Sequence, residues 1–251
     1  MKISVIVIGD EILLGRTTDT NSGFIARAID PVGWRVNRVS IVGDDADEIR
    51  GEVERELKYA DVVITTGGLG PTKDDITKST LSAIFGGAMH LDESVLSNVE
   101  EVMHRRGRAL NELTKSQAIV PDSCRVIQNR VGTAPIMWFE RDEKVLVSMP
   151  GVPFEMEQMF ASAVLPQLLQ RFATDVTIAH RSLIIAGISE SALAESIADI
   201  EDSLPSHLHI AYLPHQPWIH LRIDAVARDA EMVNADINRL HKLLSKRLEK
   251  Y

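Results

Sequence analysis

The stretch Thr65 to Asp75 reads TTGGLGPTKDD, and its flanks decide the fold. Before it, Asp61 to Thr65 (DVVIT) is a short β-branched apolar run, the pattern of a strand buried on both faces. After it, Asp74 or Asp75 stands where a helix running to Ile84 would take its N-cap. Working outward, Ile3 to Ile8 is a second apolar run, ended by Gly9. Phe24, Ile25, Ala28 and Ile29 recur at helical spacing. Trp34 to Val42 alternates around Val36 and Ile41, and Ile49, Val53 and Leu57 mark one face of a helix beginning near Asp45. Alternating strand and helix patterns predict βαβ units, hence an α/β fold with a parallel sheet.

Further along, Leu91 to Arg106 reads as a charged helix, and Lys115 to Ile119 as a short one ended by Val120-Pro121. Arg125 to Ile127, Pro135 to Phe139 and Lys144 to Met149 read as strands. A helix follows from Pro153 to about Arg171. Beyond Phe172 the character changes to a small β-α-β-β-α pattern. Arg181 to Ala186, His209 to Leu213 and Trp218 to Val226 are its strands, the last two joined through Pro214 to Pro217. Its helices are Ser189 to Ile200, with Ser189 as N-cap, and Asp229 to Leu248. The expected domains are residues 1–172 and 173–251, the second a smaller α+β unit.

The Thr65 loop carries the strongest chemical signal. Gly67, Gly68 and Gly70 remove side chains so that backbone N–H groups can approach a ligand, and the helix beyond offers a positive end to phosphate. In parallel sheets ligands bind at this carboxyl edge. Thr65 and Thr66 offer hydroxyls and Lys73 a cation. Asp74 and Asp75 would repel phosphate unless a magnesium-like cation bridged them. The motif is neither a GxxxxGK[ST] phosphate loop nor a GxGxxG fingerprint. The bland alternative is a tight turn with Asp74 as helix cap.

Other loops should share that edge. Gly9-Asp10-Glu11 follows the first strand, and its carboxylates could ligand a metal or orient water. After the second strand, Asp45 is explained by helix capping, leaving Asp44 as a candidate site residue. Asn129, Gly132 and Thr133 sit in a turn before a strand; Pro150, Gly151 and Glu155 sit in a strand-to-helix turn. The basic run His104-Arg105-Arg106-Gly107-Arg108 reads as a solvated helix end rather than a phosphate contact. His207, His209, His215 and His220 cluster in sequence, but strand alternation is expected to put them on different faces, as surface histidines and not a metal site.

Composition narrows the class. The 251 residues can bury a real core, with 45% apolar and 25% charged residues. A net charge of −9 argues against indiscriminate nucleic-acid binding. The single cysteine, Cys124, reads as a core filler, excludes an internal disulfide and fits a reducing, cytoplasmic compartment. No apolar run reaches the ~20 residues that span a bilayer, so no membrane role is expected.

Five motifs together carry a resemblance: GDEILLG at Gly9 to Gly15, VGDD at Val42 to Asp45, TTGGLGPTKDDIT at Thr65 to Thr77, VGTAP at Val131 to Pro135 and MPGVPFEM at Met149 to Met156. In order and spacing they resemble the CinA family (competence/damage-inducible protein A). Its N-terminal domain is similar to the molybdopterin-binding domain of MoaB, MogA and MoeA, which implies a three-layer α/β/α arrangement. Gly187 to Glu190 and Ile210 to Pro214 resemble its small KH-like domain. Gln216-Pro217 departs from the glycine-containing turn expected there, and no GXXG loop follows Ala173, which argues against nucleic-acid binding. The resemblance implies a metal-dependent pyrophosphatase acting on ADP-ribose or a similar nucleotide sugar, with Mg, Mn or Co as the cation, and a homodimer. Asp10, Glu11, Lys73 and Asp74 would be catalytic, Asp10 and Asp74 holding the metal. Thr65, Thr66, Gly67, Gly68, Gly70, Pro71, Asp44, Asn129, Gly132, Thr133, Pro150, Gly151 and Glu155 would bind substrate. Nicotinamide mononucleotide deamidase activity, which family members carry in a third domain, is not expected within these residues. The alternative is a molybdopterin- or nucleotide-binding protein without turnover.

Overall fold

All six residues of Ile3–Ile8 are buried, as a β-branched run between two neighbouring strands must be. In the computed structural model, which describes residues 1–172 and 176–251, this is β1 of a six-stranded sheet. Along the chain follow β2 (Val36–Val42), β3 (Val62–Thr66), a separate short pair β4 (Met89–Leu91) and β5 (Ile119–Pro121), then β6 (Arg125–Ile127), β7 (Ile136–Arg141) and β8 (Lys144–Met149). The sheet order is β2-β1-β3-β8-β7-β6. The first four of these are mutually parallel, and β7 and β6 run antiparallel.

The helices of this unit are α1 (Asp10–Leu13), α2 (Asn21–Ile29), α3 (Ala46–Tyr59), α4 (Thr77–Phe85), α5 (Glu93–Arg105), α6 (Glu112–Lys115), α7 (Pro153–Met159) and α8 (Leu165–Arg171). Ile49 and Val53 of α3 and Leu81 of α4 share one core with Ile6, Ile8, Val63 and Leu146 of the sheet. Strand alternation turns Val5 and Val7 to the other face, where α2 packs on β1, β2 and α7. The result is three layers. Between α7 and α8 the helix loosens into a π turn, Phe160–Val164. Pro166 has no N–H to give the Ser162 carbonyl four residues back, so the α register cannot continue there.

The second unit comprises β9 (Thr177–Ala186), α9 (Glu190–Glu201), β10 (Leu208–His215), β11 (Trp218–Ala227) and α10 (Ala230–Arg247), with the antiparallel order β10-β11-β9. Leu193 and Ile197 of α9 and Val233, Ile237 and Leu244 of α10 bury against Leu221 and Ile223. The four residues Asp30–Gly33 cluster with this unit rather than the first. The expected boundary between residues 172 and 173 falls at the edge of the described residues, residue 173 lying outside them.

Local signals hold where they are local. Asp45 accepts from the N–H groups of Asp47 and Glu48, and Ser189 from that of Ala192, each as an N-cap. Two expectations fail. The predicted Lys115–Ile119 helix is instead the end of α6 plus a 3₁₀ turn, Ser116–Ala118, because Ile119–Pro121 pairs with β4. Neither Asp74 nor Asp75 caps α4: Ile76 holds that position with no side-chain bond. Among the described residues no helix is long and apolar enough to cross a membrane.

Candidate active site

The ends of β1, β3 and β8 open onto a cavity of about 430 Å³. Its walls include Gly9, Glu11, Asn21, Asp44, Thr66, the loop Gly67–Pro71, Asp74, Asp75, Gln117, Thr133, Pro150, Gly151 and Glu155. The sequence-derived loops therefore do meet at one sheet edge.

The loop after β3 is built differently from the simple cradle expected. Gly67 has φ +108°, and a Cβ there would collide with the Ile8 carbonyl, so only glycine fits. Its N–H donates to the Met149 carbonyl at 3.1 Å. The Gly70 N–H donates to the Asp75 carboxylate at 2.7 Å. Gly67 and Gly70 thus have no N–H left for phosphate, contrary to expectation. Gly68 and Leu69 do: among the described residues neither N–H has a partner. Asp75 also accepts from the Thr72 N–H at 2.9 Å and from the Thr72 hydroxyl. That work inside the loop is why it caps nothing. Thr65 is fully buried and lies outside the cavity wall; Lys73 is exposed and does not line the wall, beside Asp74, which does.

Five carboxylates line the cavity: Glu11, Asp44, Asp74, Asp75 and Glu155. Among the described residues no Lys, Arg or His does. Burial pushes the Asp44 carboxyl above its usual range, an effect partly offset by the Asp10 N–H and reinforced by the charges of Asp10, Glu11 and Asp75. Asp10 itself is not in the wall. Its N–H donates to Asp44 Oδ2 at 3.0 Å, and its Oδ1 accepts from the Asp44 N–H at 3.3 Å. This reciprocal pair ties the loop after β1 to the loop after β2. Of the expected Asp10–Asp74 metal pair, Asp74 lines the cavity and Asp10 does not. Among the described residues no three His, Cys, Asp or Glu side chains form a ready metal cage.

The wall opposite the glycine loop is organised around Glu155. Its Oε2 accepts from Asn129 Nδ2 at 3.0 Å and its Oε1 from Arg106 Nη2 at 3.3 Å. Asn129 Oδ1 in turn takes the N–H groups of Val131 and Gly132, while Arg106 and Arg105 donate to the Val131 and Arg130 carbonyls. A Cβ on Gly132 would strike the Glu155 carboxylate. Asn129 and Gly132 therefore stand behind the wall, supporting Glu155. The end of α5 is a correction too: Arg105 and Arg106 are not merely solvated but brace this turn.

Three contributors escaped sequence reasoning. Asn21 donates from Nδ2 to the Gly151 carbonyl at 2.9 Å. Gln117 donates from Nε2 to the Leu69 carbonyl at 3.2 Å. Lys78, buried behind the loop, donates to the Ser116 and Gln117 carbonyls at 3.3 Å. Burial lowers its pKa to about 8, the nearby Asp75 charge opposing the shift. No local signal marks these residues: Asn21 opens α2, Gln117 lies in the 3₁₀ turn Ser116–Ala118, and Lys78 stands among the Thr and Ser residues of α4.

Elsewhere, Cys124 is the partly buried filler expected, its thiol pushed up to about 11 by burial. The histidines need a correction. Antiparallel register sets His209 opposite Asp224, Leu213 opposite His220 and His215 opposite Trp218. Positions 220, 224 and 218 alternate in phase, so His209, His215 and His220 share one face. His207 instead bonds Asp236 of α10 at 2.9 Å.

A three-layer α/β sheet whose glycine loop closes a cavity at the carboxyl edge defines a molybdopterin-binding-type domain, here followed by a small α+β unit. Residues 4–170 match the family described as a probable molybdopterin binding domain, and residues 180–251 match the damage-inducible protein CinA KH domain. The chain belongs to the CinA family. A CinA-like protein of Cytophaga hutchinsonii is 42% identical over 247 residues, covering 98% of this chain and 59% of the relative. One from Flavobacterium psychrophilum is 39% identical over 239 residues, covering 95% of this chain and 57% of its own. The chain thus spans less than two thirds of these relatives. The crystal structure of CinA from Thermoplasma acidophilum is 37% identical, with a TM-score of 0.59, over 66% of this chain and 96% of that one.

Proposed function

We propose that the protein is a metal-dependent hydrolase of a nucleotide pyrophosphate such as ADP-ribose, cytoplasmic and acting as a homodimer. The observation that carries the reading is the pairing of two unused N–H groups, Gly68 and Leu69, with five carboxylates and no lining cation. N–H groups call for an anion, and carboxylates repel one, so a phosphate fits only with a divalent cation between them.

The donor set fits such a cation. The carboxylates are hard oxygen ligands, and a cation would favour the charged form of the Asp44 carboxyl, which burial first and its acidic neighbours second disfavour. Glu11, Asp44 and Asp74 are the candidate holders. With no three groups caged, phosphate oxygens and water would complete the shell, the habit of magnesium-type sites. When bound, the cation would supply charge neutralisation at the phosphoryl oxygens and a more acidic water. Gly68 and Leu69 would hold a phosphate oxygen, and Glu155 would close the far wall. The test is ADP-ribose with Mg²⁺, Mn²⁺ or Co²⁺. AMP release is expected. No AMP with any of the three, in folded protein, refutes the enzyme reading.

A second reading has its own support. The Asp10–Asp44 reciprocal bonds occupy a carboxylate expected to do chemistry, and the matching family is described as molybdopterin binding. The cavity would then bind a molybdopterin or nucleotide without turnover. Calorimetry with both ligands, with and without metal, separates the readings: metal-independent binding favours this one.

A further inference from the structure

Thr77 opens α4, is fully buried and takes no part in the cavity wall. From behind the glycine loop it holds two consecutive peptide groups. Its Oγ1 donates to the Gly67 carbonyl at 3.3 Å, and its N–H donates to the Gly68 carbonyl at 3.3 Å. The second bond also completes the helix: Ile76, at the cap position, makes no side-chain bond, and the loop carbonyl takes an N–H that would otherwise be orphaned. The packing leaves no slack, since a Cβ on Gly68 would lie 2.1 Å from Thr77 Oγ1.

These two bonds decide where the loop's free donors point. Both loop peptides are trans, and in a trans peptide the C=O and the N–H point in opposite directions. The Gly67 carbonyl shares its peptide with the Gly68 N–H, and the Gly68 carbonyl shares its own with the Leu69 N–H. Both carbonyls turn towards Thr77, so both N–H groups turn away from it. The loop lines the cavity and Thr77 does not, so the side away from Thr77 is the cavity side. Among the described residues these are the two N–H groups of the loop that have no partner at Gly67 to Gly70. A donor on each carbonyl also polarises the peptide and strengthens its N–H as a donor in turn.

We propose that Thr77 is a positioning residue: with one hydroxyl and one N–H it aims the Gly68 and Leu69 N–H groups into the cavity and so sets how tightly a phosphate is held there. This rests on the nucleotide reading above and assigns part of its anion grip to a residue outside the cavity wall. The test uses the full chain in excess Mg²⁺, with ADP as the probe and adenosine as the phosphate-free control. In amide NMR spectra of wild type, the Gly68 and Leu69 protons are expected to move downfield with ADP but not with adenosine. The Gly67 and Gly70 N–H groups, already bonded to Met149 and Asp75, should move less. Thr77→Val keeps the side-chain shape and loses the hydroxyl. It is expected to weaken ADP binding about tenfold by calorimetry and to shrink the Gly68 shift more than that of Leu69, whose peptide is still held by the backbone N–H. Thr77→Ser, which keeps the hydroxyl, is expected to restore both. A loosened fold would instead disturb all four loop amides alike. Wild-type ADP affinity in Thr77→Val overturns the inference, as do Gly68 and Leu69 amides that stay unmoved in wild type saturated with ADP; either result leaves the nucleotide reading standing. Failure of wild type to bind ADP overturns that reading and this inference with it. The wild-type spectra need no variant, so a misfolded substitution cannot obscure them.

Discussion

Lys78 offers a quantitative test of how the wall of the cavity is built. It is buried behind the glycine loop, holds the carbonyls of Ser116 and Gln117, and has its pKa lowered from 10.5 to about 8 by burial. In the unfolded chain the ammonium stays protonated to its ordinary pKa. Between the two values the unfolded state binds the extra proton, so stability rises with pH across that window. The shift corresponds to about 3 kcal/mol in total, of which about 2 kcal/mol falls between pH 7 and pH 10. Below pH 8 the folded protein carries the full cost of a buried charge. Lys78→Met removes this titration. Urea unfolding of both proteins at pH 7, 8, 9 and 10 measures it, and taking the difference cancels every other titrating group. Wild type should gain on the variant by about 2 kcal/mol from pH 7 to pH 10. A difference that stays constant with pH would refute the claim that this amine is desolvated in the fold.

Three further outcomes follow from the hydrogen-bond pattern. Asp75→Ala strips the acceptor from the Gly70 and Thr72 N–H groups; unfolding free energy should fall by about 1–3 kcal/mol, and amide exchange should quicken in the glycine loop while α3 is unaffected. Arg106→Ala releases one oxygen of Glu155, and because its side chain is 43% exposed stability should change by less than about 1 kcal/mol; nucleotide affinity in Mg²⁺ should still drop, and an unchanged affinity would mean that Glu155 needs no brace. Asp45→Ala removes the α3 cap bonds to Asp47 and Glu48 and should cost about 1 kcal/mol in chemical denaturation with no effect on ligand binding.

Some of this architecture was legible because its cause is local. A strand buried on both faces writes a continuous β-branched run, so β1, β3 and β8 could be read directly. The Asp45 and Ser189 caps act within three residues of themselves. The gathering of loops at one sheet edge followed from parallel connectivity alone. What failed depended on contacts across the chain. Asp75 looks like a helix cap until the loop's own N–H groups compete for it and win. Arg106 looks like a solvated helix end until the turn at Val131 closes over it. Gln117 reaches a carbonyl 48 residues away, at Leu69. The shared face of His209, His215 and His220 depends on a register that no single strand encodes.

The acceptor-rich wall also dictates the order of binding. A phosphate entering alone meets Glu11, Asp44, Asp74 and Asp75, with backbone N–H groups such as those of Gly68 and Leu69 to hold it. A divalent cation entering alone meets carboxylates, yet no three of them close into a cage. Each therefore lacks what the other brings: the cation neutralises the wall, and the phosphate oxygens fill the cation's shell. Their binding must be mutually dependent, and linkage requires the dependence to be equal in both directions. Mn²⁺ affinity followed by electron paramagnetic resonance should therefore rise about 5- to 150-fold in saturating ADP. ADP affinity followed by calorimetry should rise by the same factor in saturating Mn²⁺. Asp44→Asn should reduce both factors together, because the charge it removes is one the cation would otherwise offset. If Mn²⁺ binds with the same affinity whether or not ADP is present, the cation does not bridge wall and phosphate, and the five carboxylates need another explanation.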